Sequence, residues 1–305
     1  MRLGVALNMY GLPGVDDAAG QRAHLGLAEH AFGRGINTIF AFEHHFTSYI
    51  LSPNPVQILT YLAGRLSGAT LGTSAIVVPT YNLVRLAEEI AFLDNINYGN
   101  CIFGFARGRK AEEYQGLGYE IETDARLFQD RLHALAGLLG RTSNTGGPEI
   151  RPRARFDPVA RFYVATRQKV PSPLGGHFPI LSDLGSKCTR RAPTSIVFAP
   201  ITIALDRSTA LNAALDASRN DLLMVRRHYM GDEVPPSGAQ LREALRNQIW
   251  GAPEDVVSRI KRVQDEHEPL LLVLEFAFGS RGFADVRTMI DIFSDLVAPE
   301  LNLER

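Results

Sequence analysis

The sequence predicts an α/β protein of the (β/α)8 barrel class. Three observations predict it: strand-like apolar runs recur, amphipathic helical text fills the gaps, and the first four runs start about one βα unit apart, a unit needing roughly 30 residues. Eight candidate strands, mostly alternating with helices, favour a closed barrel over a doubly wound sheet. The chain has 305 residues, and a barrel of this kind routinely occupies about 250 residues or more. The span 1–305 therefore reads as a single barrel domain.

The first four strands are "LGVALN" from Leu3, "INTIFAF" from Ile36, "TLGTSAIVV" from Thr70 and "CIFGFA" from Cys101. Between the first two, Ala23, Leu27, Ala28, Ala31 and Phe32 fall at helical spacing, and Gly33 and Gly35 suit a helix exit. "NPVQILTYLAGRLSG" is the next helix. In the one after it, Leu83, Leu86, Ala87, Ile90 and Leu93 share a face, and Gly99 suits the left-handed turn beyond its end. A longer connection after Arg107 leads to the helix "ARLFQDRLHALAGLLG", then to a surface excursion rich in Gly, Pro and Arg. Strand text resumes at "RFYVAT", "HFPIL", "TSIVFAPITIAL" and "PLLLVLEFAF", with helices expected after Ser208 and from Pro253 and a polar loop around Pro235 and Pro236. Between the fifth and sixth strands, Pro171, Pro173, Gly175 and Gly176 exclude a regular helix, so one barrel helix is expected to be irregular or missing.

A formal net charge of −1 and 21% charged residues give no pull toward nucleic acid or anionic membrane. Cys101 and Cys188, the only cysteines, form no C-x-x-C pair, which argues against a disulfide scaffold or a structural zinc module and for a reducing compartment. The N-terminal apolar run is too short for a secretory core, and no segment approaches about 18 uninterrupted apolar residues. A cytoplasmic protein with neither a nucleic-acid nor a membrane partner is expected.

Barrel active sites lie at the C-terminal ends of the strands, which singles out "FAFEHHFT". Alternation sends Glu43 and His45 to one side and His44 to the other. Three ligands on one metal would need a sharp bend, and the spacing differs from H-E-x-x-H, so no metal is expected. Structural pairing of the acid with an imidazole competes with an acid–base or cofactor-contacting role, and the strand-end position favours the second. In "GFARGRK", Arg107 and Arg109 flank Gly108 and could grip a phosphate through guanidinium forks, although neither a P-loop nor a Rossmann fingerprint is present. No G-x-S-x-G elbow occurs. Cys101 begins its strand and reads as a buried apolar residue. Glu275, late in the last strand, either faces the site or pairs with an arginine.

"INTIFAFEHHFT", "LGTSAIVVPTYNLVRLAEEIAFLDNINYG" and "FGFARG" resemble, in the same order, the bacterial luciferase-like flavin-dependent monooxygenases. The likeness is most specific over roughly the first 130 residues and returns at "GAPEDVVSRIKRV" and the last strand and helix. It implies a two-component enzyme that takes reduced FMN, with FAD or a deazaflavin as alternatives, from a separate flavin reductase. Through a C4a-(hydro)peroxyflavin formed with O2, such an enzyme hydroxylates or epoxidises a small organic metabolite, here in a biosynthetic pathway. By the same resemblance His44 matches the catalytic imidazole and Glu43 lines the flavin pocket. Ser74 and Ala75 match the strand approaching the isoalloxazine ring, where members can carry a non-proline cis peptide. Arg107, and Arg126 after a one-residue shift, match flavin-phosphate ligands. A homodimer through the helices after the second and third strands is also implied.

Two departures stand out. Ala106 replaces the reactive cysteine of luciferase, which argues against light emission, and "ATRQKVPSPLGG" offers Thr166 and Arg167 without the helix N-terminus that helps bind the flavin phosphate in relatives. These changes keep two other readings open: a non-catalytic flavin-binding or subunit-partner barrel, and a deazaflavin-dependent oxidoreductase.

Overall fold

The computed structural model describes residues 1–121, 125–140, 150–183 and 195–303. Its first half follows the expected rhythm: β1 (Arg2–Leu7), α1 (Asp17–Gly33), β2 (Thr38–Ala41), α2 (Pro55–Ala63), β3 (Thr70–Val77), α3 (Leu83–Ile96), β4 (Cys101–Ala106), α4 (Ala111–Gly116) and α5 (Ala125–Leu139). The second half holds β5 (Phe162–Pro171), β6 (His177–Asp183), β7 (Ser195–Ile203), α6 (Arg207–Met230), α7 (Gly238–Arg246), β8 (Ile249–Gly251), α8 (Pro253–His267), β9 (Leu271–Glu275) and α9 (Phe283–Ile292). Side-chain caps set several helix starts: Asp16 accepts the Ala19 N–H, Asn54 that of Gln57, and Asn82 those of Val84 and Arg85.

The strands close into a ring in the order β6, β5, β4, β3, β2, β1, β9, β7, with β7 returning to pair with β6. From β9 through β1 to β5 every pairing is parallel, as βαβ connections require. The expected missing helix is replaced by a hairpin, so β6 runs antiparallel to both β5 and β7. Parallel return needs a crossover of a dozen or more residues, whereas the turn here closes on itself through Ser172 N–H to the Gly176 carbonyl at 2.9 Å. Gly175 takes a left-handed φ of 79° there. Three elements were not expected: α4, which forms inside the connection after Arg107, α7, which begins just after the polar loop with a Ser237–Gln240 capping box, and the three-residue β8, which pairs with Ile201–Ile203 of β7.

The barrel interior is filled by Ala6, Phe40, Ile102, Tyr163, Leu181, Ile196, Phe198, Leu271 and Val273, and a larger apolar layer lies between the strands and the helices. Phe40 meets Phe198 edge to face at 5.3 Å between ring centroids. That packing requires Gly72, because a Cβ there would strike the Phe40 ring. Cys101 is buried at the start of β4, where burial pushes its thiol up to about 12, in keeping with an inert packed role. Cys188 lies outside the described residues. Among the described residues, no helix is long and apolar enough to cross a membrane.

Gly72→Ala is expected to lower unfolding stability by about 1–3 kcal/mol through overpacking against Phe40. Gly26→Ala, in α1 with open space around the added methyl, should change it by no more than about 1 kcal/mol in the stabilising direction. Urea midpoints of the two variants check this, and equal midpoints would show that the barrel interior tolerates the methyl.

Candidate active site at the barrel mouth

The polar side chains gather where β1, β2, β3, β4 and β9 end. Alternation at the end of β2 acts as the sequence suggests: Glu43 and His45 face each other, with Glu43 Oε1 3.1 Å from His45 Nε2, and His44 turns the other way. The Glu43 carboxyl is fully enclosed. It accepts the Val77 N–H at 3.1 Å and the Tyr81 hydroxyl at 3.0 Å, so it ties the ends of β2 and β3 together. Burial raises its pKa above the ordinary carboxyl value, against the opposing pull of His45, the Val77 N–H and Tyr81.

His44 engages residues that the motif alone does not point to. Its Nδ1 lies 3.1 Å from Oε1 of Glu113 in α4, and the same oxygen receives the His45 backbone N–H at 3.3 Å. His228, near the end of α6, places Nε2 at 3.5 Å from that oxygen. The Lys110 Nζ sits 3.1 Å from His228 Nδ1. Burial works to raise the Glu113 carboxyl, but the bonds and charge from His44, the His45 N–H and His228 together hold it below its ordinary value. An ionised carboxylate only accepts, so His44 must carry its proton on Nδ1. In the neutral ring, His44 Nε2 is then left with an open lone pair. An ammonium only donates, so His228 Nδ1 is the acceptor and Nε2 the protonated nitrogen. Burial first, and then the Lys110 charge and His44, push the His228 pKa down to about 4. His228 is therefore a neutral ring at physiological pH.

The side chains of His44, Glu113 and His228 place one donor atom each within 4.8 Å of one another. Two imidazoles and a carboxylate are a familiar metal set, but here the Lys110 ammonium against His228 adds a positive charge beside the position a cation would take. The arrangement works as a hydrogen-bond network around one carboxylate. Tyr49 packs on it, stacked on His228 at 5.2 Å and edge-on to His44 at 5.4 Å.

The residues matched to flavin contacts sit at the same mouth. Ser74 and Ala75 are joined by a non-proline cis peptide, and the β3–β4 register shifts between Thr73 and Ile76, so this pair leaves the ladder. Both are partly exposed, as is Ala106, the last residue of β4. These small side chains add little bulk to the ends of β3 and β4. Arg107 follows directly, its carbonyl accepting the Tyr114 hydroxyl. Gly108 holds the turn with φ 78°, and a Cβ there would lie 2.7 Å from Val77 Cγ1. Arg109 lies over the Tyr229 ring at 5.3 Å. Arg126 is exposed in the first turn of α5. The side chains of Thr166 and Arg167 fall outside the described set. Glu275 is bonded by Asn8 Nδ2 at 3.3 Å, and among the described residues no arginine pairs with it.

Residues 1–177 match the sequence profile of the Luciferase-like monooxygenase family. Uncharacterized protein y4vJ of Sinorhizobium fredii is 34% identical over 87% of each chain. The alkanal monooxygenase alpha chain of Photorhabdus luminescens is 35% identical over 95 residues, 31% of this chain, and the match spans about a quarter (26%) of that relative's length. Among solved structures, the monooxygenase RslO1 from Streptomyces bottropensis superposes with a TM-score of 0.80 at 21% identity, over 98% of this chain and 99% of that one. The oxygenating constituent of 3,6-diketocamphane monooxygenase from Pseudomonas putida, solved in complex with FMN, gives 0.69 at 15% identity, over 100% and 99%. The coenzyme F420 dependent tetrahydromethanopterin reductase from Methanopyrus kandleri gives 0.64 at 16% identity, over 98% of each chain. At these identities the structures share the fold.

Replacing Glu113 by Gln is expected to cost about 1–3 kcal/mol of unfolding stability at neutral pH, because the His44 ring and the His45 N–H lose a charged acceptor. A carboxyl whose folded pKa is depressed gives stability above its unfolded value and loses it as pH falls through the folded one. The gap between wild type and variant should thus hold from pH 8 to the ordinary carboxylate range and close below it. Urea unfolding across that range checks the sign, and no gap at neutral pH would contradict it.

Proposed function

Because the chain belongs to the luciferase-like monooxygenase family, we propose that it is the oxygenase component of a two-component flavin-dependent monooxygenase. The observation that carries this reading is His44, held by Glu113 at the barrel mouth with Nε2 open, beside the small side chains of Ser74, Ala75 and Ala106. Reduced FMN, delivered by a separate flavin reductase, would supply the electrons that activate O2. The protein's own task is then to hold the ring, move one proton and exclude water. Ser74, Ala75 and Ala106 would receive the ring face, with Glu43 bracing the pocket wall. Arg107 and Arg126 would bind the flavin phosphate with charge-assisted hydrogen bonds. His44 Nε2 would accept and return the proton as oxygen is transferred, and the neutral His228 and Tyr49 rings would keep the pocket dry. Oxygenation would fall on a small organic metabolite within a biosynthetic pathway.

The reading takes residues 1–305 as one barrel domain working in the cytoplasm. It also takes the protein as a homodimer, supported by exposed Tyr61, Phe92, Ile96 and Tyr98 on and after α2 and α3. The FMN complex among the structural relatives favours FMN. The F420-dependent relative supports a second reading, a deazaflavin cofactor on the same barrel.

Anaerobic mixing of the full chain with reduced FMN, followed by O2 in a stopped-flow instrument, tests the reading. Oxidation slower than that of free reduced FMN is expected, with a changed rate in His44→Ala. Arg107→Ala should bind FMN at least tenfold more weakly, about 1.4 kcal/mol. Oxidation at the free-flavin rate, unaltered by His44→Ala, would overturn the proposal.

A further inference from the structure

A second polar cluster adjoins the His44 network and takes no part in it. Its members are Asn8 just beyond β1, Tyr10, Tyr49, Asp221 on α6 and Glu275 at the end of β9. Tyr49 links the two clusters: besides packing on His44 and His228 it meets Tyr10 edge-on at 5.6 Å. Tyr10 in turn hydrogen-bonds the Asp221 carboxyl. Asp221 precedes His228 by two helical turns, so both project from one face of α6.

The cluster is rich in acceptors and poor in donors. Glu275 receives one bond from Asn8 Nδ2, while Asn8 Oδ1, on a residue only 2% exposed, is buried without a hydrogen-bond partner. Turning the amide over would not help, since the NH2 would then be the orphan and the oxygen would face Glu275. Among the described residues no lysine, arginine or histidine contributes to either carboxyl, and Asp221 and Glu275 repel each other. Desolvation pushes both up to about 7. Both residues nonetheless keep part of their surface accessible. Acidic groups enclosed by protein yet still reachable, with no counter-ion among the described residues, gain most from a ligand that brings positive charge. The Tyr10 and Tyr49 rings add faces that attract a cation. A cavity of about 760 Å3 shares Tyr49 with the cluster and offers Leu223, Met224 and His228 to the body of a small molecule; it also carries two cations, Lys110 and Arg227, whose charge favours an ammonium end turned toward the carboxyls.

We infer that Asn8, Asp221 and Glu275 form a receptor for a protonated amino group, so that the organic ligand of the barrel mouth is an amine. Calling that amine the substrate rests on the monooxygenase reading; the binding itself does not. An ammonium group donates up to three N–H bonds, which matches Asn8 Oδ1 and the two carboxyls. Such bonds to charged groups are the strong ones.

Calorimetric titration of the full chain with benzylamine and with its neutral counterpart benzyl alcohol tests the inference, without flavin and with FMN present. Saturable benzylamine binding is expected, with benzyl alcohol at least tenfold weaker. Glu275→Gln and Asp221→Asn should each weaken benzylamine at least tenfold and leave benzyl alcohol unchanged, with thermal melts confirming that each variant is folded. Equal binding of amine and alcohol, or amine binding indifferent to both substitutions, would overturn it. Amine binding alongside free-flavin oxidation rates would remove the monooxygenase reading and leave the receptor standing.

Discussion

The structure at the barrel mouth depends on one buried carboxylate, that of Glu113. A charge in that position is costly unless several donors converge on it. Here the His44 ring, the His45 backbone and the His228 ring all approach one oxygen. The elements follow from that need. α4 presents the acid just after the Gly108 turn, the bend after β2 brings two consecutive donors, and the last turns of α6 deliver His228 from 115 residues further along the sequence (228 minus 113). Because a carboxylate cannot donate, the same contact dictates where the His44 proton sits. A charge-satisfaction requirement thereby becomes a statement about which nitrogen is free for chemistry.

The barrel supplies the rigidity on which such geometry relies. Parallel strands from β9 through β1 to β4 bring five strand ends to one face, where Asn8, Glu43, Ser74, Ala106 and Glu275 appear together. The exchange of a βα unit for the β5–β6 hairpin alters the opposite arc of the ring and leaves no helix N-terminus between those two strands to offer to an anion. Phosphate affinity in the proposed function then falls on arginine side chains, a more local and more easily dissected source of binding.

Much of this was legible in the sequence because it is local. Period-two and period-3.6 patterns place the strands and helices of the first half, Pro171 to Gly176 announce the lost helix, and alternation alone sets Glu43 and His45 against each other. What escaped is what the chain assembles at a distance. Glu113 stands among the ordinary charges of "RKAEEYQG", and His228 lies in a helix whose polar faces carry no period that marks it. Nothing in a linear reading brings Asp221 to Glu275. The antiparallel sense of β6 and the short β8 are likewise decided by ring closure and not by local propensity.

The proton-handling role of His44 depends on its tautomer. Nitrogen-15 NMR of the ring nitrogens in histidine-labelled protein near pH 8, with His44 assigned by its loss in His44→Ala, measures it directly. The Glu113 contact predicts a protonated Nδ1 and an unprotonated Nε2. A protonated Nε2 with an open Nδ1 would contradict the account, for the lone pair proposed to handle the proton would then face the carboxylate instead of the pocket.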